Sequence, residues 1–252
     1  MKVRILFLIC FLSITCLLNA ADKPVIQIHT DNSSLIFRVA DNGRLYQSYL
    51  GKKLSHEADI SHLLQGTEAY ITHGMEDYFE PAIHIRHNDN NSSLLLKYVD
   101  HSRNAIDNGV NETVITLKDD KYPVTVKLHY VAYGKENIIR TFTEISHEEK
   151  KPVILCKYAS SMLHLNSSKY FLTEFSGDWA HEANVTEREL AFGKKVIDTK
   201  LGARANMFVS PFFQLALDNP SQENAGEVLV GTIGSVSCTH LRAHETLSDL
   251  VC

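Results

Sequence analysis

From residue 25 onward the chain alternates apolar and polar side chains with a period of two. Val25-Ile26-Gln27-Ile28, Leu35-Ile36-Phe37-Arg38-Val39 and Ala82-Ile83-His84-Ile85-Arg86 show it early, and Thr113 to Leu117, Val124 to Tyr130 and Ile138 to Ile145 repeat it later. An extended strand points successive side chains to opposite faces, so each segment predicts a strand with one face in a core. About a dozen such segments follow one another at a spacing of roughly 10 to 15 residues, with turn signals such as Asp41-Asn42-Gly43 and Asp107-Asn108-Gly109 between them. Only Ser55 to Gln65 predicts a helical turn. Many antiparallel strands without interleaved helices predict an all-β fold, a large antiparallel β-sandwich. No fixed-period repeat is present, which excludes a propeller or solenoid, and no Pro/Ser linker divides the chain. One domain is expected over residues 22–234.

Residues 1–20 break the pattern. Lys2 and Arg4 precede a nearly all-apolar run from Ile5 to Leu18, and Asn19-Ala20-Ala21 then supplies small residues. Cation, apolar run and small residues form a secretory signal peptide, too short for a full membrane span. The mature protein is expected to be exported, periplasmic or secreted, and free of the membrane once the signal is removed. A net charge of −5 with no basic run longer than two residues argues against nucleic acid as a partner. Cys10 and Cys16 leave with the signal, and Cys238 and Cys252 lie near the end of the chain. Cys156, in the apolar run Val153-Ile154-Leu155-Cys156, is expected as a lone buried thiol. No disulfide framework, metal site or cofactor is expected.

Reactive motifs are sparse. No zincin histidine pair, phosphate-cradling glycine loop or serine nucleophile elbow occurs. Two stretches concentrate carboxylates and aromatics outside the alternation. Tyr70 to Pro81 (YITHGMEDYFEP) carries Glu76, Asp77 and Glu80 with aromatic neighbours, and Phe175 to Glu182 (FSGDWAHE) carries Trp179, the single tryptophan. Aromatic faces stack on the C–H face of a sugar ring and carboxylates accept its hydroxyl protons. A hairpin corner in which Trp179 only packs would show the same composition, so residue types alone leave both readings open.

In order, Tyr49-Leu50-Gly51-Lys52-Lys53-Leu54, Gly74-Met75-Glu76-Asp77-Tyr78-Phe79-Glu80-Pro81-Ala82 and Ser176-Gly177-Asp178-Trp179-Ala180-His181-Glu182 resemble the amino-terminal domain of glycoside hydrolase family 36, the retaining α-galactosidases. Ser210-Pro211-Phe212-Phe213 and Gly226 to Gly231 follow in the expected order. The resemblance implies a β-supersandwich related to galactose mutarotase, preceding a (β/α)8 barrel that carries both catalytic aspartates. It implies α-galactoside as the parent's substrate, a homo-oligomeric parent, and Asp77 and Trp179 as substrate-binding residues, with no catalytic residue in this chain. Phe79 and His181 stand where family members commonly carry Arg, and Gly202 to Asn206 replaces a Ser/His-rich turn. The chain is thus expected to be a truncated domain without catalytic aspartates. The competing readings are a stand-alone, non-catalytic glycan-binding module and a mutarotase-like epimerase using His164 and Glu174.

After Gly234 the string Ser235-Val236-Ser237-Cys238-Thr239-His240-Leu241-Arg242 resembles translated sequencing-adapter read-through. Residues 235–252 are therefore expected to be a non-native tail that does not pack on the domain.

Overall fold

The computed structural model of the protein describes residues 23–75, 80–165, 169–178, 180–197, 208–217, 228–235 and 248–251. The signal-peptide expectation therefore lies outside the described residues.

Strands dominate, as the alternation predicts. They are β1 (Val25–His29), β2 (Ser33–Val39), β3 (Leu45–Lys52), β4 (Thr67–Glu68), β5 (Ile83–Arg86), β6 (Leu96–Asp107), β7 (Val110–Asp119) and β8 (Val124–Tyr133). Then follow β9 (Ile138–His147), β10 (Ile154–Tyr158), β11 (Tyr170–Asp178), β12 (His181–Glu189), β13 (Val209–Leu217), β14 (Val228–Ser235) and β15 (Ser248–Val251). The one helix among the described residues, α1 (Glu57–Ser61), falls within the Ser55 to Gln65 segment.

Antiparallel pairing builds a four-stranded sheet, β1-β2-β3-β4, a two-stranded sheet, β10-β5, and a nine-stranded sheet, β12-β11-β13-β14-β15-β9-β8-β7-β6. The Asn108-Gly109 corner joins β6 to β7, with Asp107 opposite Val110 and Gly109 at φ 81°. β7 pairs with β8 with Ile115 opposite Leu128 and Leu117 opposite Val126, which puts these four buried side chains on one face. That face meets Ile26, Leu35 and Phe37 from the four-stranded sheet in one apolar core. Phe37 is fully buried with its ring centroid 5.1 Å from that of Tyr130. Each buried aliphatic or aromatic side chain contributes about 1.5–3 kcal/mol. The protein is a large antiparallel β-supersandwich.

Two expectations need correction. Cys156 is exposed, as are Ile154, Leu155 and Tyr158 beside it. β10 pairs with β5 alone, so Ile154 to Cys156 lie on a narrow two-stranded sheet that leaves their side chains exposed, while Val153, just before the strand, packs against the core. The second concerns the region expected to be an unpacked tail. Ser235 ends β14, and the backbone of Ser248–Val251 is a strand inserted between β14 and β9, with Ser248 opposite Ser235 and Leu250 opposite Thr141. The physical reason is the sheet itself: β9 and β14 each present a row of backbone donors and acceptors, and a short extended segment satisfies both. Residues 236–247 lie outside the described residues.

A chain ended after Ser235 should therefore melt at least about 5 °C lower, taking a few backbone hydrogen bonds at about 1 kcal/mol each. Calorimetry on the two lengths measures this. An unchanged midpoint would restore the reading of residues 235–252 as a bystander.

Candidate functional site

The Tyr70 to Pro81 stretch is anchored at its base. Tyr70 and Ile71 are buried, and the Tyr70 hydroxyl donates to the Ala159 carbonyl at 2.6 Å. Burial pushes that phenol up to about 12. Thr72, also buried, donates to the Leu94 carbonyl at 2.6 Å. The Ala82 N–H donates to the Ile71 carbonyl at 2.8 Å, which draws the two ends of the stretch together. Gly74 turns the chain at φ 85°, where a β-carbon would come within 3.2 Å of the Ser93 backbone. At the root of this loop the His73 and His84 rings stack, centroids 3.8 Å apart and planes at 21°. Partial burial holds the His84 imidazole below its ordinary value, with the nearby His73 and Arg86 charges adding to the effect. Residues 76–79 lie outside the described residues, Asp77 among them.

Glu80 is a charge centre. Its carboxylate accepts from Lys157 on β10, and from Lys194 with Nζ–O distances of 2.7 and 2.6 Å. Hydrogen bonds from Lys157, then Lys194, hold the carboxyl down at about 2. The group is half exposed, so solvent screens these pairs.

The second stretch closes the β11–β12 hairpin. Asp178 stands opposite His181 after a register shift at Ser176, and Ala180 takes φ 63°, a left-handed position unusual for a residue with a side chain. The Gly177 N–H donates to the Phe208 carbonyl at 3.0 Å. Trp179 lies outside the described residues. Lower on the hairpin, Glu174 pairs with Arg188 across the strands at 2.6 Å and with Lys195 at 3.1 Å.

The epimerase pair is not assembled. The His164 ring bonds the Glu68 carbonyl through Nε2 at 2.7 Å, while Glu174 pairs with Arg188 and Lys195. Glu68, in turn, receives the Arg44 guanidinium, with Nε donating at 2.8 Å to one carboxylate oxygen and a terminal nitrogen donating to the other. Histidine 164 therefore ties β4 to the segment before β11, a fastening role. Among the described residues no three His, Cys, Asp or Glu side chains stand close enough to share a metal ion. No helix among them is long and apolar enough to cross a membrane.

The sequence reading missed Lys157 and Lys194, which meet Glu80 of the first stretch, and Lys195, which meets Glu174 just before the second. Nothing in the sequence marks them, since Glu80 and Lys194 are 114 positions apart.

The strands build an antiparallel supersandwich in which the Glu80 and Glu174 carboxylates each gather two cations. Residues 43–234 match the glycosyl hydrolase family 36 N-terminal domain, and the chain belongs to that family. Alpha-galactosidase 2 of Pediococcus pentosaceus is 23% identical over 237 residues, covering 81% of this chain and 33% of the relative. Probable alpha-galactosidase G of Aspergillus terreus is 26% identical over 168 residues, covering 61% of this chain and 23% of the relative. Among solved structures, the family 36 α-galactosidase AgaA of Geobacillus stearothermophilus, in a variant complexed with raffinose, superimposes with a TM-score of 0.73 at 19% identity. It covers 83% of this chain and 34% of that one. The α-galactosidase of Lactobacillus brevis gives 0.72 at 18% identity, covering 84% and 33%. The chain thus spans about a third of the length of these relatives.

Proposed function

We propose that this chain is the N-terminal β-supersandwich of a secreted, retaining α-galactosidase, and that catalysis belongs to a barrel outside it. The observation that carries the reading is family membership over residues 43–234, on a chain that spans a third of its galactosidase relatives. Retaining hydrolysis of a terminal α-linked galactose needs two carboxyl groups about 5 Å apart, one as nucleophile and one as acid/base. In this reading both sit on the barrel. The β-domain contributes Asp77 as an acceptor for substrate hydroxyls and Trp179 as an apolar wall, within a homo-oligomeric parent. Relatives solved with raffinose and stachyose support an α-galactoside as the ligand class.

The purified chain should turn over no aryl α-galactoside; turnover that survives repurification would overturn the reading. The binding role is tested by joining this domain to the catalytic portion of a relative and comparing Asp77→Asn and Trp179→Phe. Losing a charge-assisted hydrogen bond worth roughly 1.5–3 kcal/mol should lower kcat/KM about ten- to a hundred-fold for Asp77→Asn. Unchanged kinetics in both variants, with only stability lost, would return both residues to the scaffold.

A further inference from the structure

We propose that β12 is a dimerisation edge, pairing antiparallel with β12 of a second copy of this chain about a two-fold axis at Val185. The inference goes beyond the galactosidase reading and does not depend on it.

Among the described residues β12 ends the nine-stranded sheet, and residues 184–189 are all exposed, Val185 by 61%. The Leu190 N–H donates to the Tyr170 carbonyl at 2.8 Å, and the ladder runs on with Arg188 opposite Leu172 and Thr186 opposite Glu174. Antiparallel strands bond through alternate residues. Arg188, Thr186 and Asn184 therefore bond to β11, while Val185, Glu187 and Glu189 turn their backbone N–H and C=O groups outward, beyond the last strand. Such a row of donors and acceptors is a template for another strand.

The residues of the edge select a second copy as that strand. Self-pairing about Val185 sets it opposite its own copy as a hydrogen-bonded pair, with Asn184 opposite Thr186 on either side. Glu187 then faces Ala183, and farther out Arg188 falls near Glu182 and Glu189 near His181, so no like charges meet. Moving the axis to Glu187 would set that carboxylate against its own copy, which is unfavourable. A two-fold contact presents the same patch from both molecules and closes at two, because each edge is consumed.

The opposite end of the sheet is built differently. β6 breaks register after Tyr98 and again after Ala105, which makes Val99 and Ile106 bulge residues. Bulges twist an edge away from strangers. Residues 184–189 contain no register break, proline or lysine. One edge is defended and the other is ready to pair.

Sedimentation of the full chain over about 5–200 µM should show the mean mass rising from one copy toward two. Val185→Lys sets two ammonium groups at the axis and should weaken association at least about tenfold with an unchanged melting midpoint, while Val185→Thr should match the parent. In a background of Cys156→Ser, which removes an exposed thiol, oxidised Val185→Cys should yield a 185–185 linked peptide, because paired Cα atoms lie about 5.5 Å apart. Glu187→Cys should not, since its two copies sit four residues out of register, about 13 Å apart. A chain monomeric throughout the range would overturn the proposal, as would a dimer indifferent to Val185→Lys, equal linking at 187, or a mass climbing past two copies. Protection of β12 amides from exchange only after a relative's catalytic portion is joined would also overturn it, by assigning the edge to that portion.

Discussion

Replacing Glu149 by alanine will lower the stability of the protein by about 3–5 kcal/mol, a large share of what a domain of this size has. The side chains of His87 and Glu149 are both almost wholly buried, at 0% and 3% exposure. His87 Nδ1 lies 2.6 Å from Glu149 Oε1, and Nε2 lies 3.2 Å from the Ser93 carbonyl oxygen. Carboxylate and carbonyl oxygens only accept, so both contacts are made when both ring nitrogens carry protons. The imidazole also stacks on Tyr122, centroids 3.5 Å apart. Asn88 adds two donors to the other carboxylate oxygen, its side-chain amide at 2.6 Å and its backbone N–H at 3.2 Å. Truncating Glu149 leaves the buried His87 ring without its acceptor, whereas the exposed Asn88 can turn to water.

Burial pushes the Glu149 carboxyl up, but the donors from His87 and Asn88 and the His87 charge outweigh it and hold the group below its ordinary value. A carboxyl titrating lower in the folded state stabilises fully above the unfolded carboxylate range near pH 4–5. That contribution is lost as pH falls through the folded value. Urea titrations from pH 7 to pH 3 should therefore show a shallower acid decline for Glu149→Gln than for the parent. By contrast, Lys97→Ala, which removes the exposed Lys97–Asp120 pair, should change stability by less than about 1 kcal/mol. A loss below about 1 kcal/mol for Glu149→Ala would show that the pair is not buried as described.

Cutting Phe37 to alanine should cost a similar amount, about 3–5 kcal/mol, through a different mechanism. Its ring is wholly buried, packed on Tyr130 at the junction of the four-stranded and nine-stranded sheets. Close-packed neighbours collapse only partly into the space left behind, so the lost transfer energy and the residual cavity add. Phe37→Leu keeps most of the volume and should cost less than about 1.5 kcal/mol. Chemical denaturation of the two variants gives the comparison. Equal losses would mean that the sheets close over the gap.

Much of the fold was legible because alternation is a local property. Ile26, Ile28, Leu35, Phe37, Val126 and Leu128 each declare their face from neighbours two residues away. Burial set by distant elements was not legible. His129 and Val131 lie on the face of β8 that alternation assigns to solvent, yet both are buried, His129 stacked on Phe142 of β9 and bonded to Glu112 of β7. Cys156 failed in the opposite direction, since an apolar run does not say how many strands its sheet will have. In the site, the composition of the two loops was visible, while the Glu80–Lys194 and Glu174–Lys195 ties depend on topology. His87 and Glu149 are likewise 62 positions apart.

The place of β15 bears on how the sheet comes into being. Consecutive strands β6 to β9 pair in a meander, and β11 to β14 form a second neighbouring group, so both blocks assemble from contacts close in sequence. Only the four residues of β15 join them, and Leu250 meets Thr141 on the order of a hundred residues away. A contact of that span comes late, because loop closure costs entropy before pairing repays it. Until it forms, β9 and β14 are two raw strand edges in one molecule, each able to recruit the other's counterpart in a neighbouring chain. Refolding yield should thus be governed by competition between an intramolecular seam and intermolecular association, which makes protein concentration the variable that decides recovery.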